Sequence, residues 1–248
     1  MILCIDIGNT KIRCALGTPK DYAQAFLPTQ EINEASEFLR FLESNFGQDL
    51  WGGLGGAAIA SVVPVKNEII TEALRSKGDF QIRHIDKENT SIDFSGYKSG
   101  LGEDRAICCV AAAQIYKLPI IVIDFGTATT VNVVGEGSTG NVFLGGAIAA
   151  GVQTGLSALV SRTAQLPHVA NFTAAKLIGE NTIEGLVSGA AIGAACMVDG
   201  YISRIKRELG AEAAVIITGG NADKVLPYLE TPFVYEPSLL IDGLFLLF

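Results

Sequence analysis

Ile2-Leu3-Cys4-Ile5-Asp6-Ile7-Gly8-Asn9-Thr10 and Ile121-Val122-Ile123-Asp124-Phe125-Gly126-Thr127-Ala128-Thr129 are two versions of one pattern. Each is an apolar run ending in Asp-x-Gly and then in small hydroxyl, amide or methyl side chains. A short apolar run closed by glycine reads as a buried strand entering a tight turn. The second copy starts near the midpoint of the 248-residue chain. That spacing predicts two similar α/β halves, each opening with such a strand.

The rest of the sequence alternates in the same way. Ala57 to Val63 reads as a strand stopped by Pro64, Asn67 to Ser76 as a helix, and Ala106 to Tyr116 as a helix ending before Leu118-Pro119. Thr182 to Leu209 is a long helical stretch with Gly210 at its C-cap, and Gly185, Gly189 and Gly193 share one helical face. That face suits close approach by another element, inside the chain or across a subunit interface. Ala214 to Thr218 reads as a strand running into Gly219-Gly220-Asn221, with a short helix from Ala222 to Leu229. Alternation of this kind implies mixed layers with ligands gathered at strand ends. A domain boundary is expected between Tyr116 and Pro119, giving domains 1–117 and 118–248.

Composition narrows the function. With 18 basic and 26 acidic residues the net charge is -8, the reverse of a nucleic-acid-binding surface. The hydrophobic share of 49% is too high for a disordered chain. Cys4, Cys14, Cys108, Cys109 and Cys196 never form C-x-x-C and read as reduced thiols of a cytoplasmic protein. His84 and His168 stand apart, which disfavours a zinc site. Met1 to Asp6 lacks the basic start of a signal peptide. Gly137 to Ser161 carries no charge, but its glycines and hydroxyls suit a buried loop-and-helix interior better than a membrane, so no membrane partner is expected.

Three turns carry the chemistry. In Asp6-Ile7-Gly8-Asn9-Thr10, glycine lets backbone N–H groups approach a phosphate, Asn9 and Thr10 supply donors, and Asp6 is a candidate Mg²⁺ ligand. Lys11 and Arg13 add positive charge. One such turn alone reads equally as a capped structural turn; two copies plus Thr218-Gly219-Gly220 favour phosphate binding. No G-x-x-x-x-G-K-[ST] loop occurs, and Gly53 to Ala58 mimics the dinucleotide fingerprint only by preceding a strand. Asp104-Arg105 can serve as base and anion partner, or as a first-turn helix acid with an ion pair.

The ordered set Asp6-Ile7-Gly8-Asn9-Thr10, Ser61-Val62-Val63-Pro64, Gly102-Glu103-Asp104-Arg105, Asp124-Phe125-Gly126-Thr127-Ala128-Thr129-Thr130, Gly145-Gly146-Ala147-Ile148 and Asn181-Thr182 resembles the type III pantothenate kinase family. That family belongs to the acetate and sugar kinase, heat-shock chaperone and actin superfamily. The resemblance implies two ribonuclease H-like α/β domains in tandem with a nucleotide cleft between them, and ATP-dependent phosphorylation of pantothenate toward coenzyme A. It implies that Asp6, Ile7, Gly8, Asn9, Thr10, Lys11, Ile12 and Arg13 line the ATP phosphates and that Thr127 also touches ATP. Asp124 would hold a monovalent cation, K⁺ or NH₄⁺. Tyr97, Gly102, Glu103, Asp104, Arg105 and Thr182 would contact pantothenate, with Asp104 as proton acceptor and Thr182 acting across a homodimer interface.

The segment Tyr97 to Gly102 is shorter than the family pattern and has no proline, Ala150-Gly151 stands where Pro-Gly is usual, and Glu103 adds negative charge unless its side chain turns away. Two other readings follow: a kinase of the same fold for another small hydroxylated substrate, or a nucleotide-binding regulatory or accessory protein without catalysis.

Overall fold

The computed structural model describes residues 1–88, 90–138, 140–170 and 172–248. The elements run β1 (Ile2–Ile7), β2 (Lys11–Thr18), β3 (Asp21–Pro28), α1 (Ala35–Phe46), β4 (Gly56–Ser61), α2 (Pro64–Arg75), β5 (Gln81–His84), β6 (Ile92–Asp93) and α3 (Glu103–Ile115). They continue with β7 (Ile120–Phe125), β8 (Ala128–Gly137), β9 (Gly140–Ala150), α4 (Val152–Ser161), α5 (Thr182–Leu209), β10 (Ala214–Thr218), β11 (Val234–Tyr235) and α6 (Leu239–Leu247).

Two compact units form. The first takes Met1–Phe94, Lys98–Ala111 and Leu239–Phe248; the second takes Ser95–Tyr97 and Ala112–Ser238. The strands of the first lie in the order β3-β2-β1-β4-β5, and those of the second include β9-β8-β7-β10-β11. Counted within each unit, both orders are 3-2-1-4-5. In each, the first three strands are antiparallel neighbours and the last two add in parallel. The repeated sequence pattern is therefore a repeated topology, the mixed α/β, ribonuclease H-like arrangement that the resemblance implies.

β1 and β7 read as unbroken apolar runs because both faces of a central strand are covered. Leu3, Ile5 and Ile7 enter one core with Phe38, Leu42, Ile59, Ile70 and Leu74. Ile121, Ile123 and Phe125 enter the other with Val198, Ile202, Val215 and Ile217.

Several boundaries differ from the sequence expectation. A single cut at 117/118 misses the return of α6 to the first unit. Its Leu240, Ile241, Leu244 and Phe245 are buried, and it packs on β1 and β4. Gly243 lies so close to α3 that an added Cβ would sit 2.6 Å from Ile107 Cγ2. Helix α2 starts at Pro64 itself, because a first-turn N–H has no helical partner to lose. Residues 222–229 form two 3-10 turns, Ala222–Lys224 and Leu226–Tyr228, rather than one helix; Pro227 has no N–H to continue it. Within the uncharged 137–161 stretch, Gly140–Ala150 form strand β9 and Val152–Ser161 helix α4, with Leu144, Ile148 and Leu159 exposed, not a buried interior. Helix α5 keeps its expected bounds, and Gly210 adopts the left-handed cap at φ 62°. It is long and apolar enough to cross a bilayer, but its stripe of Val187, Ala191, Ala195, Val198 and Ile202 is buried.

Candidate functional site

The first turn joins β1 to β2. Ile7 pairs with Ile12 and Asp6 with Arg13, leaving Gly8 to Lys11 as the connection. The Gly8 N–H donates to the Lys11 carbonyl at 3.1 Å, closing the turn. A Cβ on Gly8 would lie 3.0 Å from that carbonyl oxygen, so this position is tight for any side chain. Asn9, Thr10 and Lys11 line an open groove of about 560 Å³ with Phe26, Leu27, Pro28 and Gln30. Lys11 Nζ and Arg13 Cζ lie 5.2 and 5.5 Å from the centre of the Phe26 ring, which is 50% exposed. An exposed aromatic face holds cations electrostatically, and here it keeps Lys11, which lines the groove, close to Phe26, which lines it too.

Two other elements meet this turn. The chain leaves β4 at Ser61, and the Val62 N–H donates to the Ile7 carbonyl at 3.1 Å. Gly102, just before α3, lies between Val62 and Asp104. An added Cβ would sit 3.6 Å from Val62 Cγ1 and 2.5 Å from Asp104 Oδ1. α3 begins at Glu103 rather than Ala106, so Asp104 is a first-turn acid, where the helix dipole favours a carboxylate. The Arg105 N–H donates to Asp104 Oδ1 at 2.8 Å. Asp104 is thus a first-turn carboxylate of α3 next to Gly102, which itself lies against Val62 at the exit of β4.

Glu103 turns toward the loop after β5, where it accepts a backbone hydrogen bond from Lys87. Its Oε2 is buried without a hydrogen-bond partner among the described residues, and burial raises its pKa. Arg105 is 7% exposed, and its charge reaches Cys109 one helical turn along. Burial nonetheless pushes the Cys109 thiol up to about 12.

The second turn, in the other unit, joins β7 to β8. Phe125 pairs with Thr129, so Gly126 to Ala128 make the connection. Asp124 stands in register between Thr130 on β8 and Thr218 on β10. Gly219, at φ 105°, presses on this carboxylate: an added Cβ would lie 2.3 Å from Asp124 Oδ1 and 2.5 Å from the Phe125 nitrogen. Gly151 crowds the turn itself: an added Cβ there would lie 2.4 Å from the carbonyl oxygens of both Gly126 and Thr127. That contact explains why glycine follows Ala150. The Gly151 N–H and Thr154 Oγ1 both donate to the Thr127 carbonyl, at 3.1 and 2.7 Å.

Tyr97 groups with the second unit, edge-on to Phe143 at 5.3 Å between ring centres, whereas Gly102 to Arg105 belong to the first. Thr182 opens α5 after Asn181, whose side chain accepts the Glu184 N–H at 3.0 Å. It lines a groove of about 700 Å³ with Gly185, Gly189, Gly193 and Met197. A Cβ on any of those three glycines would meet nothing within 4 Å among the described residues, so that side of the helix is open. Sequence reasoning passed over Thr29, which lies in no motif; its one signal is the turn after β3. Gly151 and Asn221 stood in recognised turns without a stated role.

A sequence model of the family described as type III pantothenate kinase matches residues 2–204. A protein named type III pantothenate kinase from Parafrankia sp. (strain EAN1pec) is 34% identical, covering 100% of this chain and 97% of its own. One of the same name from Frankia alni is 35% identical, covering 100% and 98%. Among solved structures, a Campylobacter jejuni protein described as a Baf family transcriptional activator is similar at TM-score 0.58 and 20% identity, covering 97% of this chain and 94% of that one. The last likeness shows the fold alone.

Proposed function

The chain belongs to the type III pantothenate kinase family, and we propose on that premise that it transfers the terminal phosphoryl group of ATP to the primary hydroxyl of pantothenate, the first step toward coenzyme A. The observation that carries this reading is that, inside the first unit, the exit of β4 bonds the strand end before the Asp6 to Arg13 turn through Val62 and Ile7, and the same Val62 lies against Gly102 beside Asp104. Phosphoryl transfer asks the protein to position its reactants, neutralise charge and receive one proton. The hydroxyl oxygen attacks phosphorus, the bond to the ADP oxygen breaks, and the hydroxyl proton passes to the Asp104 carboxylate.

The groove beside Asn9, Thr10 and Lys11 fits a phosphate chain, with Lys11 and Arg13 against its charge. Asp6, at the strand end, would hold Mg²⁺, which when bound neutralises charge on the phosphates. A single carboxylate suits a Mg²⁺ that keeps waters and phosphate oxygens as its other ligands. Thr127 would add a donor to ATP. Asp124 would hold K⁺ or NH₄⁺, and the neutral Thr130 and Thr218 at its register positions fit a weakly charged oxygen-lined site. Gly102 and Arg105 would contact pantothenate, joined by Tyr97 and by Thr182. The exposed glycine groove of α5 supports a homodimer in which Thr182 lies at the interface. The free thiols of the described cysteines suit the reducing cytoplasm.

ADP release with ATP, Mg²⁺ and pantothenate, with and without potassium, tests the reading. Asp104→Asn should lower kcat by about 10²- to 10⁴-fold while nucleotide affinity stays within about twofold. Normal pantothenate phosphorylation by that variant would overturn Asp104 as base. Sedimentation that finds only monomer at micromolar concentration would overturn the dimer.

A further inference from the structure

Both Asp-x-Gly turns have their carbonyls tied back by donors from other elements, and the backbone part of this bracing is duplicated. Where the chain leaves the fourth strand of each unit, an N–H reaches the last carbonyl of the first strand: Val62 to Ile7 at 3.1 Å, and Asn221 to Phe125 at 2.9 Å. Where it leaves the third strand, an N–H reaches into the turn: Thr29 to Thr10 at 3.1 Å, and Gly151 to Thr127 at 3.1 Å. Among the described residues, the carbonyl of the turn glycine has no such backbone donor. It is bound by a side chain in both units, and by side chains from different places. Thr29 Oγ1 donates to Gly8 O at 2.6 Å, and Asn221 Nδ2 donates to Gly126 O at 3.2 Å.

We propose that Thr29 and Asn221 are matched positioning residues that hold the two phosphate turns in their anion-accepting form. The inference rests on the proposed nucleotide site. A carbonyl turned toward a phosphate would repel it, whereas one bonded away leaves the amide side of the turn facing the anion. Thr29 is 4% exposed, so water cannot replace its hydroxyl. The amide of Asn221 is oriented by Lys224, whose Nζ donates to Oδ1 at 3.2 Å and directs Nδ2 to Gly126. The Lys224 ammonium is itself held 5.6 Å from the centre of the Phe172 ring.

The test measures KM for MgATP, kcat, affinity for a non-hydrolysable ATP analogue, and Tm for four variants. Thr29→Val keeps the shape and loses the donor; Thr29→Ser keeps the donor. Asn221→Asp keeps an acceptor for Lys224 and loses the donor to Gly126; Asn221→Leu loses both. Thr29→Val and Asn221→Asp should raise KM for MgATP and the analogue Kd by about tenfold with kcat nearly unchanged. Thr29→Ser should stay within about twofold of the parent, and Asn221→Leu should be no better than Asn221→Asp. A Thr29→Val protein with lowered Tm but parental nucleotide affinity would make the hydroxyl merely structural and overturn the proposal. A parent protein that binds the analogue without pantothenate turnover would overturn the proposed reaction while the affinities still decide the braces. A parent that binds no nucleotide would overturn both.

Discussion

The two turns follow one sequence pattern and share their backbone bracing, yet they are built to different tolerances. The first spans Gly8 to Lys11, opens onto a groove and carries Lys11 and Arg13 against Phe26. The second is one residue shorter, Gly126 to Ala128, and has no cationic residue in it. In the first, the turn's own glycine is the tight one, where an added Cβ would lie 3.0 Å from the Lys11 carbonyl oxygen. In the second, Gly126 has ordinary room, since an added Cβ would come no nearer than 3.4 Å to Asp124 Oδ1, and the crowding comes from Gly151 and Gly219 outside. The difference teaches a division of labour. The first turn is an open, positively charged cradle suited to a phosphate chain, and the second is a packed neutral turn that can meet a phosphate only with uncharged donors while Asp124 is held still.

The largest expected effect would break the second turn from outside. Gly219→Ala places a methyl 2.3 Å from Asp124 Oδ1 on a backbone at φ 105°, which only glycine adopts readily. Strain of about 3 kcal/mol or more should lower Tm by about 6–12 °C for a chain of this size. Gly126→Ala, inside the turn, should change Tm by less than about 2 °C. Thermal melts of the pair check this, and equal losses would mean that the crowding lies in the turn itself.

Next in size is the charge asymmetry. Lys11→Met should raise KM for MgATP by about tenfold, because it removes the cation beside the phosphate groove. Thr127→Val, which removes only a neutral donor, should raise it by about threefold. Steady-state kinetics at varied ATP and saturating pantothenate measure both. Reversal of that order would assign the phosphates chiefly to the second turn.

How much of this was legible beforehand depends on range. Both turns, both strands and helix α5 with Gly210 follow from local pattern, because a buried central strand and a glycine cap leave short signatures. The base candidate Asp104 was visible only as part of an ordered motif set, since a first-turn acid looks the same in any helix. The return of α6 to the first unit was not legible, because an apolar segment does not name the surface it covers. Thr29 was hidden for a related reason. Its partners Gly8 and Thr10 lie across two strands, and a threonine after a strand carries no mark of the carbonyls it will meet. Gly151 and Asn221 stood in plain view, but their roles need the distances to Gly126 and Thr127.

The smallest expected effect concerns the charge around the first unit's site. An open cradle for anions is sharpened if no uncompensated carboxylate faces it, and Glu103 is the residue that could spoil it. Its side chain turns to the Lys87 backbone, and burial raises its pKa above the ordinary 4.5. Between the unfolded and the raised folded value, the folded state keeps a proton that the unfolded state has released. Stability therefore falls as pH rises through that window and stays reduced above it. Glu103→Gln should be slightly more stable than the parent at pH 7, and the advantage should vanish below about pH 4. KM for pantothenate should stay within about twofold of the parent, because the carboxylate removed points at the loop after β5. Melting curves across pH, read beside pantothenate kinetics, separate the two effects. A severalfold drop in that KM without the stability trend would place Glu103 against the anionic substrate instead, and the first cradle would then carry an opposing charge of its own.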